Sequence, residues 1–132
     1  MDDAGVYILA ALSIAAAQTS ILSPAENLNG MTGVTLETNF QYGSGGTTCS
    51  AIVMTSFDDG TSWRHIARFD FTMAAAVKVA NLNGLLSKAV VAYADLNSEG
   101  VTDGVLGNML AVKVISTGTY VNTTLSVRAS VR

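Results

Sequence analysis

Three groups of residues have types and spacing that could do chemistry. Asp95, Asn97, Glu99 and Asp103, in DLNSEGVTD, stand at positions 1, 3, 5 and 9 of a calcium-loop pattern, with Gly100 at position 6. Hard cations favour such oxygen clusters, and the glycine permits the sharp bend they need. Position 12 should carry a bidentate carboxylate and is Leu106, and no helix pattern flanks the loop. The stretch therefore reads first as a solvated, turn-rich loop, with calcium as the minor reading. His65 is the single histidine. A couple with Asp70 is conceivable, but residues five apart on a strand fall on opposite faces. Cys49 lies in an alternating pattern and reads as a small buried apolar residue rather than a nucleophile. As the single cysteine it also excludes an intrachain disulfide. GSGG at 43–46 lacks the strand–helix setting and the lysine of a phosphate loop. No catalytic residue and no resident cofactor are expected.

The sharpest local signature is SFDDGTSW, Ser56 to Trp63. It resembles the Asp-box hairpin S-x-D-x-G-x-T-W, with Ser62 in the threonine place. The resemblance implies that Asp58 bonds the turn backbone, Gly60 takes a positive φ and Trp63 packs beneath. Asp-boxes recur in sialidases as structural hairpins away from the catalytic centre. One copy in a short chain implies a hairpin and no activity. Trp63, Tyr42, Tyr93 and Tyr120 could form a sugar-stacking platform, although Trp63 belongs to the hairpin.

The elements that must position these residues have a period of two. In MTGVTLETNFQY, Val34, Leu36 and Phe40 alternate with Thr35, Glu37, Asn39 and Gln41, the pattern of a half-buried strand. TTCSAIVMTSF is apolar on both faces and reads as a central strand. DDG at 58–60 signals a hairpin. WRHIARFDF sets Trp63, His65, Ala67, Phe69 and Phe71 against Arg64, Ile66, Arg68 and Asp70. Weaker strands are expected around Val77 and Val79 and at 89–94, before a long polar loop at 95–107. MLAVKVIS points Leu110, Val112 and Val114 inward, and NTTLSVRASVR closes the chain by alternation. Seven or eight strands with one proline predict an all-β, antiparallel, jelly-roll-like β-sandwich over residues 21–132.

Residues 1–20 are different. GVYILAALSIAAAQTS resembles the apolar heart of a secretory signal, with Ala15, Ala16 and Ala17 as small residues before a cut. Asp2 and Asp3 put negative charge where such a signal carries Lys or Arg, and the run is too short and interrupted to span a bilayer. It is expected to be an uncleaved apolar arm, helix or strand, buried on the body or on a partner. Val6, Tyr7, Ile8, Leu9 and Leu12 are its candidate interface residues.

The chain has 132 residues, one domain's worth, of which 13% are charged and 49% hydrophobic, with a net charge of −3. A free-standing monomer usually carries about twice that charge. The sparse charge points to a surface suited to burial against neighbours. The seven Lys and Arg are scattered, which argues against a nucleic-acid partner.

The layout of LNGMTGVTLE, SFDDGTSW, the Phe-rich strand and LAVKVISTGTYVNTTLSVRASV resembles small β-sandwich virion proteins of tailed bacteriophages and gene-transfer particles. The resemblance covers roughly residues 27–132. It implies a non-enzymatic structural role in the virion, as a capsid decoration or cement subunit or a head-fibre-like part. The implied form is a homo-oligomer, with a trimer favoured, held on the major capsid protein or other virion proteins. Two alternatives stand beside it: a carbohydrate-binding, adhesin-like sandwich, and a tail, connector or fibre-base component.

Overall fold

The computed structural model describes residues 4–132. Met1, Asp2 and Asp3, the acidic start of the expected arm, lie outside the described residues. In chain order the strands are β1 (Gly5–Ile14), β2 (Gln18–Ile21), β3 (Gly33–Gln41), β4 (Ser44–Gly45), β5 (Thr48–Ser56), β6 (Arg64–Phe71), β7 (Ala76–Asn83), β8 (Gly100–Val101), β9 (Met109–Thr117), β10 (Tyr120–Val121) and β11 (Thr123–Val131). Sheet A has the order β1-β11-β3-β7 and sheet B the order β2-β9-β5-β6-β8, while β4 and β10 form a two-residue ribbon. Neighbours run antiparallel throughout.

Eight strands remain when the two-residue pieces are set aside. The first, eighth, third and sixth make sheet A; the second, seventh, fourth and fifth make sheet B. That alternation is the winding of a jelly roll, so the expected all-β sandwich is what the chain builds.

Side-chain alternation explains the packing. Val34, Leu36 and Phe40 of β3 and Leu125, Val127, Ala129 and Val131 of β11 are buried, facing Ala51 and Val53 of β5, Phe69 and Phe71 of β6, and Val112 and Val114 of β9. Thr38 takes an inward slot between Leu36 and Phe40. Its hydroxyl is not orphaned, because Oγ1 donates to the Lys78 carbonyl at 3.0 Å.

Two β-bulges break the alternation. In β1 the register on β11 shifts between Ile8 and Ala10, so Leu9 and Ala10 are both buried. In β6 the register on β5 shifts between Val53 and Met54, and Ile66 and Ala67 are both buried. The second bulge overturns the expected face of His65. It leaves the side of Ala67 and Phe69 and lies opposite Met54, whose side chain joins the outer cluster of Ile52 and Ala111 with Trp63 and Ile115.

Of the placements expected for the opening stretch, the structure shows the first: it lies on the body of the sandwich, as strand rather than helix. β1 pairs with β11 along its length, and β2 pairs with β9, so one short segment supplies an edge to each sheet. Ala15, Ala16 and Ala17, which resemble a cleavage site, form the corner between the sheets; Ala15 accepts a backbone bond from Tyr120 and Ala16 one from the Ser116 hydroxyl. Of the five expected interface residues, Leu9 is in the core, Tyr7 and Leu12 pack against it, and Val6 and Ile8 are exposed. The strand expected at 89–94 is absent; that stretch has no regular secondary structure and no ladder.

Replacing Leu9 with Ser or Ile14 with Ala should therefore destabilise the fold, by about 2–5 kcal/mol for a large-to-small change in a packed core. Ile8→Ser should cost about 1 kcal/mol or less, the span of strand propensity for a side chain that is not packed in the core. Urea denaturation of the three variants checks the contrast, and equal losses at Ile8 and Leu9 would contradict the bulged register.

Candidate functional site

The β5–β6 hairpin is built as the Asp-box resemblance implies. Ser56 Oγ donates to Asp58 Oδ1 at 2.8 Å and accepts from the Gly60 amide at 2.8 Å. Asp58 Oδ1 accepts from the Ser62 amide at 2.9 Å and Oδ2 from the Ser62 hydroxyl at 2.7 Å. Ser62 thus does the work of the motif's threonine. Gly60 has φ +90°, a conformation side chains avoid. Trp63 packs on Ile52 and Met54 below the turn. The Ser62 hydroxyl and amide and the Ser56 hydroxyl hold the Asp58 carboxyl down at about 2. Asn108 Nδ2 bonds Asp59 Oδ1 at 2.7 Å and fastens the tip to the β8–β9 connection.

Phe57 stands exposed beside this rigid tip. It is one wall of a groove of about 570 Å³ whose other side is residues 88–94, with Val105 and Gly104 at the floor and Arg64 and Lys88 as its cations. Residues 85–95 are all exposed, among them Leu85, Leu86, Val90, Val91 and Tyr93. Among the described residues, no backbone group from Ser87 to Asp95 has a hydrogen-bond partner in the chain. Val90, Val91 and Tyr93 are residue types that favour strands, here without a ladder.

Side chains of β6 and β7 fix the far end of this segment. The Tyr93 hydroxyl accepts from the His65 amide and donates to Asp95 Oδ1, both at 2.7 Å, and Arg64 stacks over the Tyr93 ring at 5.1 Å. Burial pushes the Tyr93 phenol up, and its bond to Asp95 adds to the rise. His65 Nδ1 accepts from the Leu96 amide at 3.1 Å, and Arg68 Nη1 donates to the Leu96 carbonyl at 3.0 Å. Glu99 Oε2 accepts from Lys78 Nζ at 2.6 Å and from the Asp70 amide at 3.0 Å, which lowers its carboxyl. His65 and Asp70 share the outer face, yet they do not couple. Asp70 instead accepts from Arg68 Nε at 2.9 Å and the Ser50 hydroxyl at 2.7 Å. Burial alone would raise the Asp70 carboxyl, but these donors outweigh it and the net shift is downward.

The calcium-loop residues are not gathered around one point. Asp95 serves Tyr93, Glu99 serves Lys78 and Asp70, and Asp103 Oδ1 accepts from the Asn83 and Gly104 amides at 2.7 and 2.9 Å. Among the described residues no group of three or more His, Cys, Asp or Glu side chains is placed to hold a metal ion. Cys49 is wholly buried, which pushes its thiol up to about 11 and keeps it unreactive at neutral pH. The expected aromatic platform is divided: Tyr120 is in the core at right angles to Phe40 and Tyr42, Trp63 is half-buried, and Tyr93 is in the groove.

Sequence reasoning missed Phe57, Val90 and Val91 as exposed groups, because AVVAYA has the composition of a paired strand. Its flanks, Ser87–Lys88 and Asp95, carried the available signal, being too polar to continue a buried strand. Comparison with protein-family models, curated proteins and solved structures finds no match to this chain.

The Asp58 shift sets a pH dependence. The folded carboxyl lies near 2, below its ordinary value of 3.8. Its contribution to stability is therefore complete above about pH 4 and is lost as pH falls through about 2. Carbon-detected titration of the Asp58 carboxyl should give a midpoint near 2, and Ser62→Ala should move it upward. An ordinary midpoint in the unaltered chain would contradict the hairpin geometry.

Proposed function

We propose that this chain is a non-enzymatic structural subunit of a virion, a capsid decoration or cement protein that works by adhesion. The observation that carries the reading is the exposed apolar segment Leu85–Tyr93, whose backbone is unpaired from Ser87 and which faces Phe57 across a groove. Burying apolar surface contributes about 25 cal/mol per Å², and backbone groups without partners of their own can hydrogen-bond to a partner's sheet edge. The adhesive surface moves accordingly from the opening stretch, whose Leu9 is used internally, to the 85–94 segment. The partner would be the major capsid protein or another virion protein, with the chain acting as a homo-oligomer. A tail, connector or fibre-base position would use the same contacts.

A sugar-binding reading draws on one observation, that Phe57 and Tyr93 line the groove with Arg64 and Lys88. Binding on a glycan array that disappears with Tyr93→Ala would favour it.

Val90→Asp combined with Val91→Asp tests the adhesive reading, since both side chains are exposed and the fold should keep its melting temperature. The double variant should lose about tenfold or more in occupancy on shells of the parent particle, matching a few tenths to a few kcal/mol at each desolvated contact. Gradient sedimentation of shells with bound chain reads the result. An unaltered chain that never sediments with shells would overturn the proposal.

A further inference from the structure

The outer face of sheet A carries short polar side chains framed by apolar ones, with a hollow lined by Ala11, Ser13, Asn39, Gln41, Thr124 and Ser126 at its lower end, and its register can be read row by row. The central row is Ile8, Arg128, Glu37, Val79 across β1, β11, β3 and β7. Below it lies Ala11, Ser126, Asn39, Val77, and above it Val6, Ser130, Thr35, Asn81. Val6, Ile8, Val77 and Val79 are among the most exposed large apolar residues of the protein, each more than 60% accessible. Arg128 and Glu37 are exposed, and neither joins an ion pair among the described residues. A third charge, Arg132, lies along the upper margin, where its guanidinium donates to Thr35 Oγ1 at 3.1 Å and Asn81 Oδ1 at 3.2 Å.

The central row reads the same in type from either end: apolar, charged, oppositely charged, apolar. A twofold axis parallel to the strands, lying between two such faces and between β11 and β3, lays each row on its own reverse. Ile8 then meets the second copy's Val79, and Arg128 meets the second copy's Glu37, twice over. In the row below, Ala11 meets Val77 and Ser126 meets Asn39; in the row above, Ser130 meets Thr35, and Val6 meets Asn81 with Arg132 beside it, the one mismatched pair. Such a contact is isologous, as closed twofold pairs require. A threefold contact would match different patches and gains nothing from this arrangement.

We infer that the outer face of sheet A is a twofold docking surface for a second copy of this chain, registered by the reciprocal Arg128–Glu37 pairs. From strand spacings of about 4.8 Å and a rise of about 3.3 Å per residue, four strands of eight residues present roughly 500 Å² per copy. That total sits at the low end of specific interfaces, so a weak pair with a Kd on the order of 100 μM is expected. The inference goes beyond the adhesive reading and does not depend on it, because none of the residues lining the groove at Phe57 belongs to the four strands of sheet A.

Sedimentation velocity of the full chain over rising concentration tests it. The unaltered chain should dimerise, and Arg128→Glu or Glu37→Arg should each weaken the pair about tenfold or more through like-charge opposition. Equimolar mixing of the two variants should restore association to the unaltered level or better, since each copy then offers two charges of one sign to two of the other. A monomer at about 1 mM, where such a pair would be mostly formed, would overturn the inference. So would a dimer indifferent to both substitutions, or variants that fail to associate when mixed. Shell sedimentation is read separately: a monomer that still coats shells removes the twofold face and leaves the adhesive reading standing.

Discussion

Strand β11 is hydrogen-bonded along its length on both sides, to β1 and to β3, and that double ladder fixes the rest of the structure. Once Leu125, Val127, Ala129 and Val131 face inward, the pleat forces Thr124, Ser126, Arg128 and Ser130 outward. A one-residue slip would exchange the two sets and expose the core. The neighbours inherit this register. Leu36 stands beside Ala129 and Glu37 beside Arg128, so the inner packing and the rows of the outer face are one fact seen from two sides.

The same ladder explains how a surface with few charges is organised. Apart from Glu37 and Arg128, Thr, Ser, Asn and Gln fill the outer positions of β3 and β11, and the β-branched Val6, Ile8, Val77 and Val79 stand on the two edge strands β1 and β7. Charge is spent mostly on fastening loops: Lys78 reaches from β7 to Glu99 and the Asp70 carbonyl, closing the open side of the sandwich between β7 and β6. Arg68 and Arg64 are occupied with Leu96 and Tyr93. Arg128 and Glu37 stand apart from this pattern.

The alternation of β3 and β11 was legible because each has one buried and one largely solvated face, so period two shows in the residue types. The hairpin was legible because Ser56, Asp58, Gly60 and Trp63 each meet a local geometric need that no distant neighbour alters. The two bulges were not legible: Leu9 and Ile66 are ordinary strand residues, and nothing in their types marks a shift of phase. That is why the opening stretch looked apolar on both faces and why His65 was set on the wrong side of β6. AVVAYA misled for a related reason. Strand propensity reports fit to a half-buried pleat and does not reveal whether a neighbouring strand exists. In the acidic loop, spacing along the chain fixes which oxygens are available and leaves their direction to donors contributed by β6 and β7.

The alanine corner at residues 15–17 has a consequence for the chain's behaviour if it is nicked. Scission there would free β1 from covalent attachment while its berth along β11 stayed intact, a long row of amides and carbonyls beside the apolar slots vacated by Leu9, Leu12 and Ile14. A vacated berth of this kind is a receptor for the same strand from another molecule, the ingredient from which donor-strand exchange is made. The corner therefore decides whether this sandwich is a closed body or a link in a chain of borrowed strands.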